Sequence, residues 1–210
     1  MITFVAMTTR NRILKEALNQ FNEKGIQLVG VREIARSLNM SPGNLSYHFP
    51  KREDLLTEIL KDYSEQNQVY RQEYLDGSPS IKRFVNLLGN LFENQYRHRG
   101  IFTELVEVNR LLKVSSGFDY TAGQSERIAV FEIMIEALQR SGELKPSSQV
   151  RTHLVSFLTL FGRFWISEAF LSNDFNSKEK TIDHYLNMMK QQLGLLATEQ
   201  GLKALEVVKL

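Results

Sequence analysis

The sequence predicts an all-α protein, in which a small N-terminal helix-turn-helix domain precedes a larger helical domain. Apolar residues recur at spacings of three and four along most of the chain, which is the pattern of helices with one buried face. The 210 residues include four prolines and few β-branched runs, which favours helices over strands. Residues 31–55 add the pattern of two short helices joined by a tight turn.

The first three helices follow from local signals. Residues 9–24 form the first, ended by Gly25, and its core face is Ile13, Leu14, Ala17, Leu18 and Phe21. The second has one apolar stripe, made by Val31, Ile34, Ala35 and Leu38. Asn39 breaks that stripe, and asparagine tolerates the left-handed backbone of a tight turn. Ser41 and Pro42 then restart a helix as N-cap and first helical residue.

The third helix carries an unusual outward face. Leu45 and Phe49 form its inner side, while Gly43 and Tyr47 point nearly opposite Leu45, flanked by Asn44 and Ser46. None of the four outward residues is charged, and all but glycine can form hydrogen bonds. An ordinary surface helix would present lysine and glutamate here. We therefore interpret residues 42–48 as a recognition helix that enters the DNA major groove.

The region around this unit resembles a known family. Residues 9–60 are similar to the N-terminal DNA-binding domain of the TetR/AcrR family of bacterial transcriptional repressors. The matching landmarks are Arg12-Ile13-Leu14, Ala17, Phe21, Gly25, Val31-Arg32-Glu33-Ile34-Ala35, Ser41, Gly43, Leu45, Tyr47-His48-Phe49, Glu53 and Leu55. The resemblance and the helix face together give the candidate DNA-binding residues: Arg32, Ser41, Pro42, Gly43, Asn44, Ser46, Tyr47, His48, Lys51 and Arg52.

The chain departs from the family pattern at three places. Gly30 stands where the family usually has Ser or Thr, which removes one side-chain contact to phosphate. Asn39 replaces a glycine in the turn. Arg52 takes the place of the lysine that opens the fourth helix, and Lys51 precedes it.

The rest of the chain is predicted as further helices. We expect a DNA-binding domain over residues 8–52, a linking helix over about 50–75, and a helical ligand-binding and dimerisation domain over 79–210. Within the last, helices are expected over about 80–97, 101–112, from 124 to 141, and over 177–196. Residues 115–123 stay undecided between a loop and a helix start. The basic run Arg97-His98-Arg99 is interpreted as helix capping and solvation.

Two predicted helices near the C-terminus each have a broad apolar stripe, and together they predict a homodimer. A helix that is apolar on most sides must be covered on most sides, and two helix-turn-helix units normally share one operator. The alternative is that both helices are the core of a monomer. The candidate interface residues are Leu158, Trp165, Tyr185, Met189 and Leu193.

The C-terminal part is also rich in aromatic residues, which is typical of an apolar pocket for a small molecule. For any single one of these residues ordinary core packing is the preferred interpretation, whereas for the set as a whole we expect a pocket that contains several of them. The candidate ligand-binding residues are Phe92, Tyr96, Phe131, Phe161 and Trp165.

Charge and composition narrow the function. Residues 1–52 hold eight Lys+Arg against three Asp+Glu, a balance of +5, whereas the remainder holds eighteen against twenty-one, −3, for a net +2. Positive charge at the DNA-binding end fits phosphate contact. The chain has no cysteine, its four histidines lie far apart, and it carries no phosphate-loop, nucleophile-elbow or dinucleotide motif. We therefore expect no enzyme, no metal and no cofactor.

No uninterrupted apolar run reaches the length of a bilayer span, so we expect no membrane partner and a cytoplasmic protein. Met7 directly precedes the family-like segment, so translation from Met1 or from Met7 stays open. The leading hypothesis is a DNA-binding transcriptional regulator, a repressor released from its operator by a small hydrophobic ligand. The alternatives are a helical small-molecule-binding protein and an architectural DNA binder without ligand control.

Overall fold

The computed structural model describes residues 8–115, 122–172 and 177–208, and the helices of these ranges are joined by short turns and loops. The prediction of an all-α fold is confirmed. The described helices are α1 (Thr9–Lys24), α2 (Val31–Ser37), α3 (Pro42–His48), α4 (Arg52–Leu75), α5 (Ile81–Arg97), α6 (Arg99–Thr103), α7 (Leu105–Ser115), α8 (Ala122–Arg140), α9 (Ser148–Leu171), α10 (Lys178–Gly194) and α11 (Glu199–Glu206). The choice between Met1 and Met7 and the segment 116–121 lie outside the described residues.

The chain divides into two compact units. The N-terminal unit contains the described residues up to Ser64 together with those of α6 and α7, and the C-terminal unit contains residues 65–97 and the described residues of α8 to α11. Helix α4 contributes to both units. This grouping differs from the linear division expected from the sequence, because α6 and α7 fold against the N-terminal helices.

The N-terminal unit closes around apolar faces of its short helices. Ile13, Ala17 and Phe21 of α1 are fully buried, as are Ile34 and Ala35 of α2 and Leu45 of α3. Helix α6 packs on α1, where the Gly100 N–H donates to Asn22 Oδ1 at 2.8 Å. A Cβ at Gly100 would collide with the backbone of Phe21, so only glycine permits this close approach.

The structure corrects two expectations in this region. Residues 101–112 were expected to form one helix, but α6 ends at Thr103 and α7 begins at Leu105. Between them, Glu104 Oε1 accepts a hydrogen bond from the Ile26 N–H at 2.9 Å. The run 97–99 is not simply solvated, because the His98 side chain is 1% exposed and its Nε2 lies 3.7 Å from Asp62 Oδ2.

The C-terminal unit is built from paired helices, with α5 against α10 and α8 against α9. Its centre holds the sole tryptophan, Trp165, whose Nε1 donates to Gln95 Oε1 at 2.7 Å. The ring of Phe92 stacks on Trp165 at 4.7 Å between centroids. The loop after α8 is fixed to α5, because Glu143 Oε2 accepts from the Ile81 N–H.

Helix α9 is long and apolar enough, by length and composition alone, to cross a membrane. Serine, threonine and glycine interrupt its sequence, so it contains no uninterrupted apolar run of that length. Only 33% of its most apolar window is buried within the chain. Helices that bury an apolar face in a soluble protein meet the same criteria.

Candidate nucleic-acid interface

Helix α3 begins and ends as its sequence dictates. The Ser41 Oγ accepts from the Asn44 N–H at 3.2 Å, and Pro42 occupies the first helical position, where its missing N–H costs no hydrogen bond. At the other end, the extended backbone of Phe49 stops the helix. The predicted bounds of α3, residues 42–48, are confirmed.

The turn before α3 sets its direction. Asn39 takes the left-handed backbone with φ 54°, the one such non-glycine residue in the part of the chain that the structure describes. The Met40 N–H then donates to the Ala35 carbonyl at 2.9 Å, which closes the turn. The prediction that asparagine replaces glycine here is confirmed, and it leaves the helix-turn-helix geometry intact.

The outward face of α3 is exposed as expected. Leu45 and Phe49 are 0% and 1% exposed, whereas the Tyr47 side chain is 84% exposed. Its ring meets the ring of His48 edge-on at 5.4 Å. Ser41, Pro42, Gly43 and Asn44 are exposed, and Ser46 and His48 are half-buried.

Gly43 leaves the beginning of this face open. Apart from its chain neighbours and the backbone of its own helix, no described atom lies within 4 Å of a Cβ built on Gly43, so its lack of a side chain answers no packing need inside the chain. A surface glycine in a helix costs stability relative to alanine. Its presence is explained if another molecule approaches the helix backbone at this point.

The two basic residues that open α4 have different surroundings. Lys51 is exposed, and its N–H donates to Asp54 Oδ2 at 2.9 Å, which caps the helix start. Arg52 is half-buried, and its Nη1 donates to the Ile26 carbonyl at 3.0 Å. Lys51 therefore keeps its ammonium at the surface, while the guanidinium of Arg52 is committed to the protein.

Both backbone polar groups of Ile26 form hydrogen bonds with side chains that are distant in sequence. Its N–H donates to Glu104 and its carbonyl accepts from Arg52. We call this arrangement the Ile26 clamp. Because Ile26 lies between α1 and α2, the clamp fixes the loop that positions α2 and, through the turn at Asn39, α3.

Further contacts keep the three short helices together. The Arg10 guanidinium lies 4.7 Å from the centre of the Phe49 ring and pairs with Glu58 of α4 at 2.9 Å. Gln20 Nε2 donates to Ser37 Oγ at 2.8 Å, which ties α1 to α2. Residues outside the outward face of α3 therefore fix its orientation.

Arg32 and Gly30 lie at the start of α2. Arg32 is exposed, whereas Gly30 is the N-cap and provides no side-chain hydrogen bond to the helix. On α7, Arg110 donates to both carboxylate oxygens of Glu107. This hydrogen bonding lowers the pKa of Glu107. Arg110 is thus paired, unlike the exposed lysine that opens α4.

Sequence reasoning missed the residues that form the clamp. Glu104 lies 78 residues from Ile26, and no periodic pattern connects them. Arg52 stands out in the sequence because it takes the place of the family's lysine. The sequence analysis assigns it to phosphate contact, whereas in the structure its guanidinium binds the Ile26 carbonyl.

Three of the five aromatic candidates of the C-terminal unit form one cluster. Phe92, Tyr96 and Trp165 are buried, and Phe131 and Phe161 are half-buried. Phe161 lies 6.3 Å from Phe92, centroid to centroid, whereas Phe131 meets Phe84 instead at 6.2 Å. The structure therefore brings Phe92, Phe161 and Trp165 together and separates Phe131 from them into a second ring contact.

The five candidate interface residues are buried within one chain. Their exposed fractions are at most 4%, for Leu158, Trp165, Tyr185, Met189 and Leu193. They offer almost no surface to a second copy. The apolar residues that α9 and its neighbour α10 do expose are Leu160, Phe164, Phe170, Leu171 and Met188.

Comparison with known proteins agrees with this geometry. Residues 13–59 match the model of the bacterial regulatory proteins of the tetR family. The chain is 27% identical over 145 residues to the HTH-type transcriptional repressor KstR2 of Mycolicibacterium smegmatis, covering 67% of this chain and 70% of the relative.

Two solved structures share the fold. A TetR-family transcriptional regulator from Marinobacter aquaeolei VT8 superposes with a TM-score of 0.82 at 21% identity, over 96% of this chain and 98% of its own. The ketosteroid transcriptional regulator KstR2 of Mycobacterium tuberculosis gives 0.69 at 18% identity, over 91% and 96%.

An exposed, uncharged recognition helix on a three-helix support defines a helix-turn-helix DNA-binding protein. The family match falls on that support and on α3. Residues 13–59 therefore carry a DNA-binding domain of the type found in the bacterial regulatory proteins of the tetR family.

Proposed function

We propose that the protein is a homodimeric repressor, in which each copy places α3 in the major groove of one operator half-site. The observation that carries this proposal is the outward face of α3, where Tyr47 is exposed and Gly43 leaves the backbone open. Tyr47, Asn44 and Ser46 are suited to reading base edges or phosphates through hydrogen bonds. The name of the relative from Mycolicibacterium smegmatis, a transcriptional repressor, supports repression over activation.

Phosphate contacts are assigned to Lys51, Arg32 and the N–H groups at the starts of the short helices. Lys51 and Arg32 are exposed. Arg52 is left out of this set because its guanidinium is bound to the Ile26 carbonyl. The set supplies sequence-independent affinity, and α3 supplies the specificity.

We assign the dimer interface to the outer sides of α9 and α10. Leu160 and Phe164 fall on one outward stripe of α9, with exposed fractions of 59% and 41%. Met188 is 45% exposed on α10. Burial of this apolar surface against a second copy would lower the free energy of the protein in water.

We assign the ligand-binding site to the C-terminal unit. Its aromatic cluster around Trp165 supports a small apolar molecule rather than a multiply charged one. The fold relative from Mycobacterium tuberculosis is named a ketosteroid regulator, a class that fits such surroundings. A ligand that prefers a conformation with wrongly spaced recognition helices would release the operator. We place the protein in the cytoplasm, where its DNA is.

Selection of operators from random DNA by the full-length protein tests the proposal. A palindromic site with half-sites about 34 Å apart is expected for a dimer of such units. Tyr47→Ala should weaken binding by about 1–3 kcal/mol and relax specificity at one position of each half-site. Tyr47→Phe is the matched control, since it removes only the hydroxyl. Unchanged affinity and preference in Tyr47→Ala would contradict the placement of α3.

A further inference from the structure

The second half of α4 buries no aliphatic side chain. This half, residues 65–75, belongs to the C-terminal unit, and its two aliphatic residues, Val69 and Leu75, are exposed. Its buried residues are Asn67 and Tyr74. The first half of the helix packs differently, through aliphatic residues in the core of the N-terminal unit: Leu55, Leu56, Ile59 and Leu60. Aliphatic packing therefore fixes only the first half of α4.

Asn67 forms a buried amide pair with Asn94 of α5. Asn94 Nδ2 donates to Asn67 Oδ1 at 2.8 Å, and the two residues are 4% and 6% exposed. Asn67 lies about 12 Å along the helix axis before Leu75, the end of α4. The other buried residue, Tyr74, lies next to that end, where its ring meets the ring of Phe84 edge-on at 5.9 Å. The amide pair therefore joins α4 to α5 at a point far from the loop that connects them.

Helix α5 is itself held firmly beside this pair. Gln95, the residue after Asn94, donates to the Gly162 carbonyl of α9 at 2.8 Å and accepts from Trp165 Nε1 at 2.7 Å. The ring of Phe92 stacks on the same tryptophan. Asn94 is therefore a fixed point against which the second half of α4 is positioned.

A buried amide pair stabilises a helix contact less than apolar packing of similar volume, because each amide gives up its hydrogen bonds to water. It does, however, favour one register strongly. The two amides satisfy each other only at one axial position of the helices, and any slide leaves polar groups in the interior without their bond. A single buried asparagine fixes the register of coiled coils for this reason.

We propose that Asn67 is a positioning residue for operator binding: its bond to Asn94 selects one axial register of α4 on α5, and α4 passes this register to the DNA-binding helices. The rise per residue of a continuous helix is fixed, so a slip of the second half by one turn would move the first half by about 5.4 Å. The inference rests on the proposed dimer, in which two recognition helices must match the spacing of two half-sites.

Spin labels measure the register directly. The chain has no cysteine, so Glu65→Cys and Asn86→Cys, both at exposed positions, place one label on each of the two helices. Double electron–electron resonance on the full-length protein should give one narrow distance distribution. With Asn67→Leu/Asn94→Leu added, the distribution should broaden or shift by up to about 5.4 Å, while the helical circular dichroism stays unchanged. One unshifted, narrow distribution in this folded double variant would overturn the inference.

Operators that differ only in half-site spacing measure the consequence for DNA binding. The full-length protein should prefer its selected spacing over the same half-sites moved by one base pair. Asn67→Leu/Asn94→Leu should lose about fivefold or more of this preference. Its affinity for DNA with a single half-site should stay within about twofold, because neither asparagine lies in the DNA-binding helices. A merely structural role would lower both affinities together and leave the preference for spacing intact.

The matched control is Gln68→Leu/Asn90→Leu, which places the same residues at exposed positions of the same two helices. It should keep both the label distance and the spacing preference. Thermal unfolding adds a third readout. Asn67→Leu alone leaves Asn94 Nδ2 without this acceptor and should lower Tm, whereas the double leucine variant should regain that loss.

Two further results would overturn the inference: an unchanged spacing preference in the folded double leucine variant, and a Tm of that variant no higher than that of Asn67→Leu. If the leucine pair does not fold, Asn67→Ala/Asn94→Ala removes both amides at smaller volume, and its label distance decides. Failure of the unmutated protein to select paired half-sites would contradict the proposed function instead, and the label distances would still decide the register.

Discussion

Lys51 and Arg52 are adjacent basic residues for which the structure predicts opposite phenotypes. The exposed ammonium of Lys51 serves phosphate binding, and the guanidinium of Arg52 serves the Ile26 clamp. Alanine at each position therefore separates DNA affinity from stability.

The cost of Arg52→Ala follows from the bond that it removes. A hydrogen bond to a charged group contributes about 1.5–3 kcal/mol, and the side chain is 25% exposed, which reduces this by solvent screening. The expected loss is about 1–2 kcal/mol of unfolding free energy, or about 2–8 °C in Tm if the chain unfolds in one transition. Lys51→Ala removes no bond made by its ammonium in the described contacts and should leave Tm within about 1 °C.

The DNA-binding assay gives the complementary result. Each phosphate contact contributes about 0.9 to the slope of log K against log salt, so loss of one lysine from each copy of a dimer should reduce the slope by about 2. Fluorescence anisotropy with operator DNA, between about 50 and 200 mM salt, measures this slope. In Arg52→Ala the slope should stay constant once the protein is folded. An Arg52→Ala protein with an unchanged Tm and a shallower slope would show that Arg52 binds phosphate and that the clamp contributes nothing.

Three further predictions concern single positions. Gly43→Ala should stabilise the protein by up to about 1 kcal/mol and yet weaken operator binding; equal operator affinity would mean that α3 stays away from the groove floor. Gly30→Ser should raise stability by a few tenths of a kcal/mol as an N-cap and tighten binding about fivefold for each copy of the dimer, through one added phosphate hydrogen bond per copy, and a lower Tm would show that serine does not cap α2. Phe164→Glu should sediment as a folded monomer at micromolar concentration, whereas Thr152→Glu remains a dimer; a Phe164→Glu dimer would remove this side of α9 from the interface.

The local parts of the DNA-binding unit could be predicted from the sequence because each has a local cause. Proline after an N-capping serine starts α3, and Asn39 replaces glycine where the backbone is left-handed. Leu45 is buried and Tyr47 exposed because they lie on opposite sides of a short helix. Such relations extend over four residues or fewer, and the sequence shows them directly.

The residues of the C-terminal unit were harder to assign because its long helices are apolar on more than one side. The pattern identified α9 and α10 as broadly apolar, but it could not separate the side that packs within the chain from the side left exposed. Trp165 belongs to the first and Phe164 to the second, although they are adjacent in sequence. Only the positions of α5 and α8 decide between them.

The Ile26 clamp shows why the orientation of the recognition helix depends on residues beyond the first three helices. Arg52 begins the helix after α3, and Glu104 follows α6, yet both bind the residue that connects α1 to α2. An unpaired buried amide is costly, so the loop keeps this geometry only while α6 stays in place. Glu104 also lies where a side chain on Gly25 would have to fit, and Gly25 has φ +83°. The same glycine that ends α1 therefore makes room for the carboxylate, so that helix termination and helix orientation depend on one residue.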